Sequence, residues 1–303
     1  MKPGPAIVGI DFSSAPSARK PIVIARGRLL DRSAIGPAEP VPAEAVPAQQ
    51  VPAARLQLEA LERLPTLAAF DAWLAADGDW IAGCDFPFGL PRAFIVAQQW
   101  SGGDWAAVTR HAAALTRAEL VARCRAYVAG RPVGDRFAHR ATDRPAGSSP
   151  SMKWVNPPVV LMLHAGAPRL LAAGVELPGL RQGDPRRVAL EAYPGMLARA
   201  LIGRRSYKSD DPRRDDPPRR AARAALAAAL ADGRVTGIRV GWPAGLRHEC
   251  IADFRGDALD ATLCAVQAAW GALRRAEGWG LPAAVDPLEG WIVAAGMFAP
   301  VSR

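Results

Sequence analysis

Asp11, Asp85 and Glu191 each close a short apolar run: Ile7-Val8-Gly9-Ile10-Asp11, Trp80-Ile81-Ala82-Gly83-Cys84-Asp85 and Val188-Ala189-Leu190-Glu191. Such a run reads as a buried strand that delivers one carboxylate to its C-terminal tip. Asp257 and Asp260, in Gly256-Asp257-Ala258-Leu259-Asp260-Ala261, lie three apart on the first turn of a predicted helix and so on neighbouring positions of one face. Taken singly, each acid has a structural use. A strand-end carboxylate bonds the amides of the next turn, and Asp257 suits a helix cap or the positive end of the helix dipole. Taken together they suggest chemistry. Parallel strands bring their C-terminal ends to one edge of a sheet, where ligands sit. An acidic helix turn packed over that edge completes a cluster of four or five carboxylates, which repel one another unless cations lie among them. Oxygen-only donors select Mg²⁺ or Mn²⁺ over zinc. Two such ions roughly 3.5–4 Å apart would activate water and stabilise the leaving oxygen of a phosphodiester.

The elements needed to position these acids can be read along the chain. Pro21 to Ala25 is a second strand, with Arg26 to Leu30 beginning the return of a hairpin. Gly36 to Ala54, built of Pro-Ala and Val-Pro units, is expected to be an exposed, partly extended loop. Leu56 to Leu64 fits an edge strand or a helical turn. Thr66 is placed to cap a helix through Leu74. Pro91 to about Gly130 is expected to be helical with a break at Ser101-Gly102-Gly103, then an arginine-rich loop to Ser151, then a helix from about Pro158 to Ala173 closed by Gly174. These pieces make 91–180 a mainly helical lobe inserted in a single domain of 1–303. Gly203 to Arg220 alternates both charges among prolines and is expected to be a mobile, solvent-facing loop. Ala221 to Ala231 is an alanine-rich helix. The helix opened by Asp257 runs to about Arg275, with Leu259, Leu263, Val266, Ala269 and Leu273 available for one face. Glu289 to Val293 suggests a short closing strand.

Composition bounds the partners. Half of the 303 residues are hydrophobic and 22% are charged, as in an ordinary globular protein. No apolar run reaches the roughly 20 residues that cross a bilayer, and the first residues lack the apolar core of a secretion signal, so a cytoplasmic location without membrane attachment is expected. A formal charge of +9 suits an anionic partner such as nucleic acid, although only four of the 38 basic residues are lysines, which coding bias would also produce. Cys84, Cys124, Cys250 and Cys264 form no CxxC pair and are expected to be free thiols. His111, His139, His164 and His248 include no i, i+4 pair, which argues against a histidine metal site. Ser13, Arg140, Arg144, Lys153 and Lys208 are candidate substrate contacts, and His248 is a candidate for proton transfer.

The strand-borne Asp11 and Asp85 and helix-borne Asp257 and Asp260 resemble the ribonuclease-H-like superfamily, and the Asp-Ala-Leu-Asp-Ala helix resembles that of RuvC-type resolvases. More closely, Gly9-Ile10-Asp11, Asp85-Phe86-Pro87-Phe88-Gly89-Leu90-Pro91, Arg140-Ala141-Thr142-Asp143-Arg144, Glu191-Ala192-Tyr193-Pro194, the Asp257 helix and Glu289-Gly290-Trp291 resemble the family designated domain of unknown function 429, whose members are predicted ribonuclease-H-fold nucleases. The resemblance spans Ile7 to about Val293. It implies an α/β fold with a mixed five-stranded sheet, flanking helices and a two-metal acidic site holding Mg²⁺ or Mn²⁺. Asp11 would bridge the metals, Asp85 or Glu191 would be the second strand-borne ligand, and Asp257 and Asp260 would complete the site. The expected function is a metal-dependent nuclease acting on DNA or RNA. Two alternatives remain: an ATP-dependent phosphotransferase of the sugar-kinase/actin-like class, with Asp11-Phe12-Ser13-Ser14 as a phosphate loop, and a non-catalytic nucleic-acid-binding protein.

Overall fold

The β-branched runs form the middle of a mixed sheet in the computed structural model, which describes residues 4–30 and 54–298. The chain is an α/β protein. In order, it forms β1 (Ala6–Asp11), β2 (Ile22–Leu30), β3 (Ala54–Leu64), α1 (Leu67–Ala75), β4 (Trp80–Cys84), α2 (Arg92–Ala97), α3 (Trp105–Ala113), α4 (Arg117–Ala129), α5 (Asp143–Ala146), α6 (Val159–Ala173), β5 (Val175–Glu176), β6 (Asp184–Glu191), α7 (Pro194–Ile202), α8 (Pro217–Asp232), β7 (Ile238–Gly241), α9 (Leu246–Ala252) and α10 (Asp257–Ala272). The sheet has seven strands in the order β5-β6-β4-β1-β2-β3-β7. The sheet therefore exceeds the five strands expected, with the short β5 and β7 at its two edges. β1, β4 and β6 run parallel, with Ile10 opposite Cys84 and Cys84 opposite Glu191. β2 pairs antiparallel with both β1 and β3.

Several expectations change here. Leu56 to Leu64 belongs to β3, which is an inner strand because β7 pairs on its far side. Glu289 to Val293 makes no strand; Ile292 forms a single bridge to Glu191. Pro212–Arg214 is a 3-10 turn and α8 starts at Pro217, since Asp216 caps it and proline is tolerated in a first turn. Leu273 lies just past α10 and is exposed. The proline-rich stretch from Gly36 lies outside the described residues as far as residue 53, and Ala54 opens β3. Thr66 caps α1 as expected, its Oγ1 accepting from the Ala69 amide at 3.0 Å. The four cysteines are free and buried.

The strand pleat sorts the core into two sides. Val8, Ile10, Ala82, Cys84 and Ala189 point to one, where α1, α2, α3 and α6 supply Phe70, Phe94, Trp105, Val160 and Leu163. Ile7, Val23, Ala25, Ile81 and Leu190 point to the other, which receives α10, α7 and α8. Rather than a single apolar face, α10 is buried throughout from Ala258 to Gly271. It lies between the sheet and the outer elements α7 and α9, so every side needs small or apolar residues.

Two glycines set how closely α10 approaches. Gly9 and Gly83 are register partners in β1 and β4. A Cβ on Gly9 would lie 1.9 Å from the Ala261 carbonyl oxygen and 2.2 Å from the Ala265 nitrogen; one on Gly83 would lie 2.3 Å from the Cys264 carbonyl oxygen. Backbone therefore packs on backbone, and no side-chain rotation could make room. Gly9→Ala is expected to destabilise the protein by about 3 kcal/mol or more, beyond ordinary overpacking because the clash is with main chain. Urea unfolding of the purified variant checks this, and an unchanged midpoint would contradict the close approach.

Candidate functional site

The same parity that turns Gly9 and Gly83 toward α10 turns Asp11 and Asp85 toward it, two residues further along each strand. Their backbones are locked side by side, the Asp85 amide donating to the Ile10 carbonyl at 2.9 Å. The first turn of α10 lies over this edge. Gly256 takes the N-cap in the left-handed conformation (φ +74°), and Asp253 Oδ2 accepts from the Ala258 amide at 2.9 Å. Asp257 is therefore the first helical residue rather than the cap. It is free to join Asp260, which is fully buried.

Electrostatics tie the four acids together. Burial, then the charges of Asp260, Asp257 and Asp85, hold the Asp11 carboxyl well above the usual carboxylate range. Asp85 is pushed up to about 7 by burial and by Asp260, with Lys208 opposing. Asp257 is pushed up to about 6 by burial, Asp253 and Asp260. Asp11, Asp85 and Asp257 thus sit in one another's field.

Lys208 brings a positive charge into this set. Its ammonium donates to Asp260 Oδ2, and the Tyr207 hydroxyl donates to Asp260 Oδ1. The expected solvent-facing loop is thus pinned where it meets the site. Ser209 N donates to the Phe254 carbonyl at 3.1 Å, and the fully buried Arg223 donates to the Tyr207 carbonyl at 3.0 Å, the Ile251 carbonyl at 2.6 Å and Asp215 at 2.7 Å. Gly256 makes the packing possible, since a Cβ there would sit 2.9 Å from the Lys208 Cβ. Sequence reasoning missed Arg223 and Asp253. Arg223 does fall on the apolar stripe of α8 with Leu226, Ala227 and Leu230, a position where an arginine needs buried partners.

Glu191 goes elsewhere. It follows Ala189 onto the opposite side of the sheet, where both its oxygens are taken. Arg140 donates to Oε1 at 2.6 Å and to Oε2 at 2.8 Å, and the Phe88 amide donates to Oε2 at 2.9 Å. Arg140 also bonds Asp143 Oδ1 and the Glu289 carbonyl. Glu289 in turn accepts from the Arg92 and Ala141 amides at 2.6 and 3.0 Å, and Thr142 Oγ1 accepts from the Ile292 amide. The acidic motifs thus divide by sheet face: one group gathers at α10, and the other makes a buried ionic knot that ties the helical lobe to the C-terminal segment.

The remaining candidate contacts are dispersed. Arg140 is enclosed in the knot, so it presents no guanidinium to a ligand. Arg144 is exposed, and Lys153 donates to the Asn156 carbonyl at 2.6 Å. Ser13 Oγ accepts weakly from the Ala15 amide at 3.4 Å. His248 is exposed on α9.

The four acids at α10 offer the all-oxygen donor set that suits Mg²⁺ or Mn²⁺, and their mutual repulsion favours a bound cation. Among the described residues no three His, Cys, Asp or Glu side chains are already gathered as ligands around one point. The Lys208 ammonium occupies Asp260 Oδ2 at this edge. Comparison of the chain with protein-family models, with curated proteins and with solved structures finds no match.

The two acidic groups should respond oppositely to neutralisation. An aspartate whose folded pKa is raised stabilises the fold while protonated, and that contribution is lost as pH rises from the unfolded value near 3.8 through the folded value near 7. In EDTA, Asp85→Asn is expected to melt above wild type at pH 8, with the advantage fading toward pH 4. Burial raises the Glu191 carboxyl too, against the pull of Arg140 and the Phe88 amide, but here the sign is set by the partner: Glu191→Gln leaves the buried Arg140 guanidinium short of a carboxylate and is expected to cost about 3 kcal/mol at pH 8. Thermal melts of both variants across this range test the division, and a stabilising Glu191→Gln would contradict it.

Proposed function

We propose that the protein is a metal-dependent phosphodiesterase of ribonuclease-H-like fold that cleaves a nucleic acid. The observation that carries this reading is the placement of Asp11 and Asp85 at adjacent parallel strand ends, under the Asp257 and Asp260 turn of α10. The mixed arrangement of the five longer strands supports the fold, and the net charge of +9 supports a polyanionic substrate.

Asp11, Asp85, Asp257 and Asp260 would hold Mg²⁺ or Mn²⁺. When bound, such ions supply a nucleophilic water at neutral pH and charge stabilisation at the leaving oxygen. The chain's own residues prepare that chemistry. The main-chain contact of α10 with β1 and β4 fixes the two pairs of carboxylates against each other. Of the two strand-borne acids left open by the sequence, Asp85 is the second ligand in this reading, because both oxygens of Glu191 are committed to Arg140 and Phe88. The segment carrying Lys208 also exposes Arg204, Arg213 and Arg214, which can follow a phosphate backbone beside the site.

Asp11→Asn is expected to abolish Mn²⁺-dependent cleavage while the protein remains folded, a loss on the order of 10³-fold or more given what ligand removal does to charge stabilisation. Gel assays on single-stranded, duplex and branched DNA and RNA would show it. Equal cleavage by wild type and variant would overturn the reading. So would stabilisation by ATP with no cleavage of any of these substrates, the behaviour of a phosphotransferase.

A further inference from the structure

Asp260 is the most enclosed of the four acids, and both of its oxygens are occupied from one dipeptide, Tyr207-Lys208. The Lys208 charge acts on Asp11, Asp85 and Asp257 as well as on Asp260. This ammonium therefore stands where its positive charge bears on all four acids. The backbone around it is anchored on both sides, by Arg223 on the Tyr207 carbonyl and by the Ser209 amide on the Phe254 carbonyl. The Lys208 side chain itself is 46% exposed. Its stem thus lies along the surface with only the tip engaged, and it can swing into solvent without moving the segment.

We propose that Lys208 is the resident counter-cation of the acidic site, and that a divalent cation binds by displacing its ammonium from Asp260. This rests on the metal-dependent reading and adds to it a competition between side chain and metal. Metal affinity is thereby lowered by an interaction within the chain. The metal-free site keeps one positive charge among its acids, which eases their mutual repulsion while they stay packed against α10. Once displaced, the ammonium is tethered at the rim of the site, where it can meet a substrate phosphate.

The test uses the full-length protein with Mn²⁺ as probe. The chain has only four lysines, so acylation of each amine can be followed by mass spectrometry, with Lys153 as an internal reference. Mn²⁺ is expected to raise Lys208 labelling severalfold over EDTA and leave Lys153 unchanged. By calorimetry, Lys208→Met is expected to bind Mn²⁺ about tenfold more tightly than wild type, because the competing charge is gone. Lys208→Arg, which keeps a cation for Asp260, is expected to stay near the wild-type affinity and guards against a folding defect in the methionine variant. If wild type binds Mn²⁺ while Lys208 labelling does not change, the displacement is wrong and the metal-dependent reading survives. If neither wild type nor Lys208→Met binds Mn²⁺, both are overturned.

Discussion

The site depends on a contact that involves no acid: the main chain of α10 lying directly on Gly9 and Gly83. Any larger residue on these strands would lift the helix off the sheet, because the atoms in the way are carbonyl oxygens and an amide nitrogen. The consequence follows from strand geometry. Two residues beyond each glycine, the pleat returns to the same face, so Asp11 and Asp85 emerge under the N-terminal turn of the helix that the glycines admit. The burial of α10 on all sides, with alanines at Ala261, Ala265, Ala268 and Ala269, belongs to the same arrangement. A helix held this closely cannot slide, and its Asp257 and Asp260 keep their place over the strand ends.

Gathering carboxylates in this way carries an electrostatic cost, visible in the raised proton affinity of Asp11, Asp85 and Asp257. The chain offsets it locally with Lys208 and, one layer out, with Arg223, whose buried guanidinium holds the backbone that delivers the lysine. On the other side of the sheet the carboxylates are held differently. Arg140 joins Asp143 and Glu191 in a closed ionic group with backbone amides completing the bonds. Such a group is fully satisfied and has no vacancy for a ligand.

Much of this was legible in the sequence. Apolar runs ending in an acid located β1, β4 and β6, and the Asp257-x-x-Asp260 spacing located the acidic turn, because both patterns are local. What parity does to the third acid was not legible. Glu191 aligns in register with Cys84 rather than Asp85, so it faces the opposite side, and register is a property of strand pairing that no single run contains. The charged stretch after Gly203 misled for a related reason. Prolines and alternating charges suggest solvent, while the anchors of Tyr207 and Lys208 come from Arg223, Phe254 and Asp260, all distant in sequence. The edge strands β5 and β7 are too short to carry a periodic signal of their own.

The central claim is that the four acids at α10 form a divalent-metal site and the knot around Glu191 does not. Crystals of the protein soaked in Mn²⁺, with anomalous diffraction data collected at the manganese edge, test it most directly. Anomalous density among Asp11, Asp85, Asp257 and Asp260, with none at Glu191, is the predicted result. Density confined to Glu191 and Glu289, or no density at the α10 acids at saturating Mn²⁺, would contradict the account.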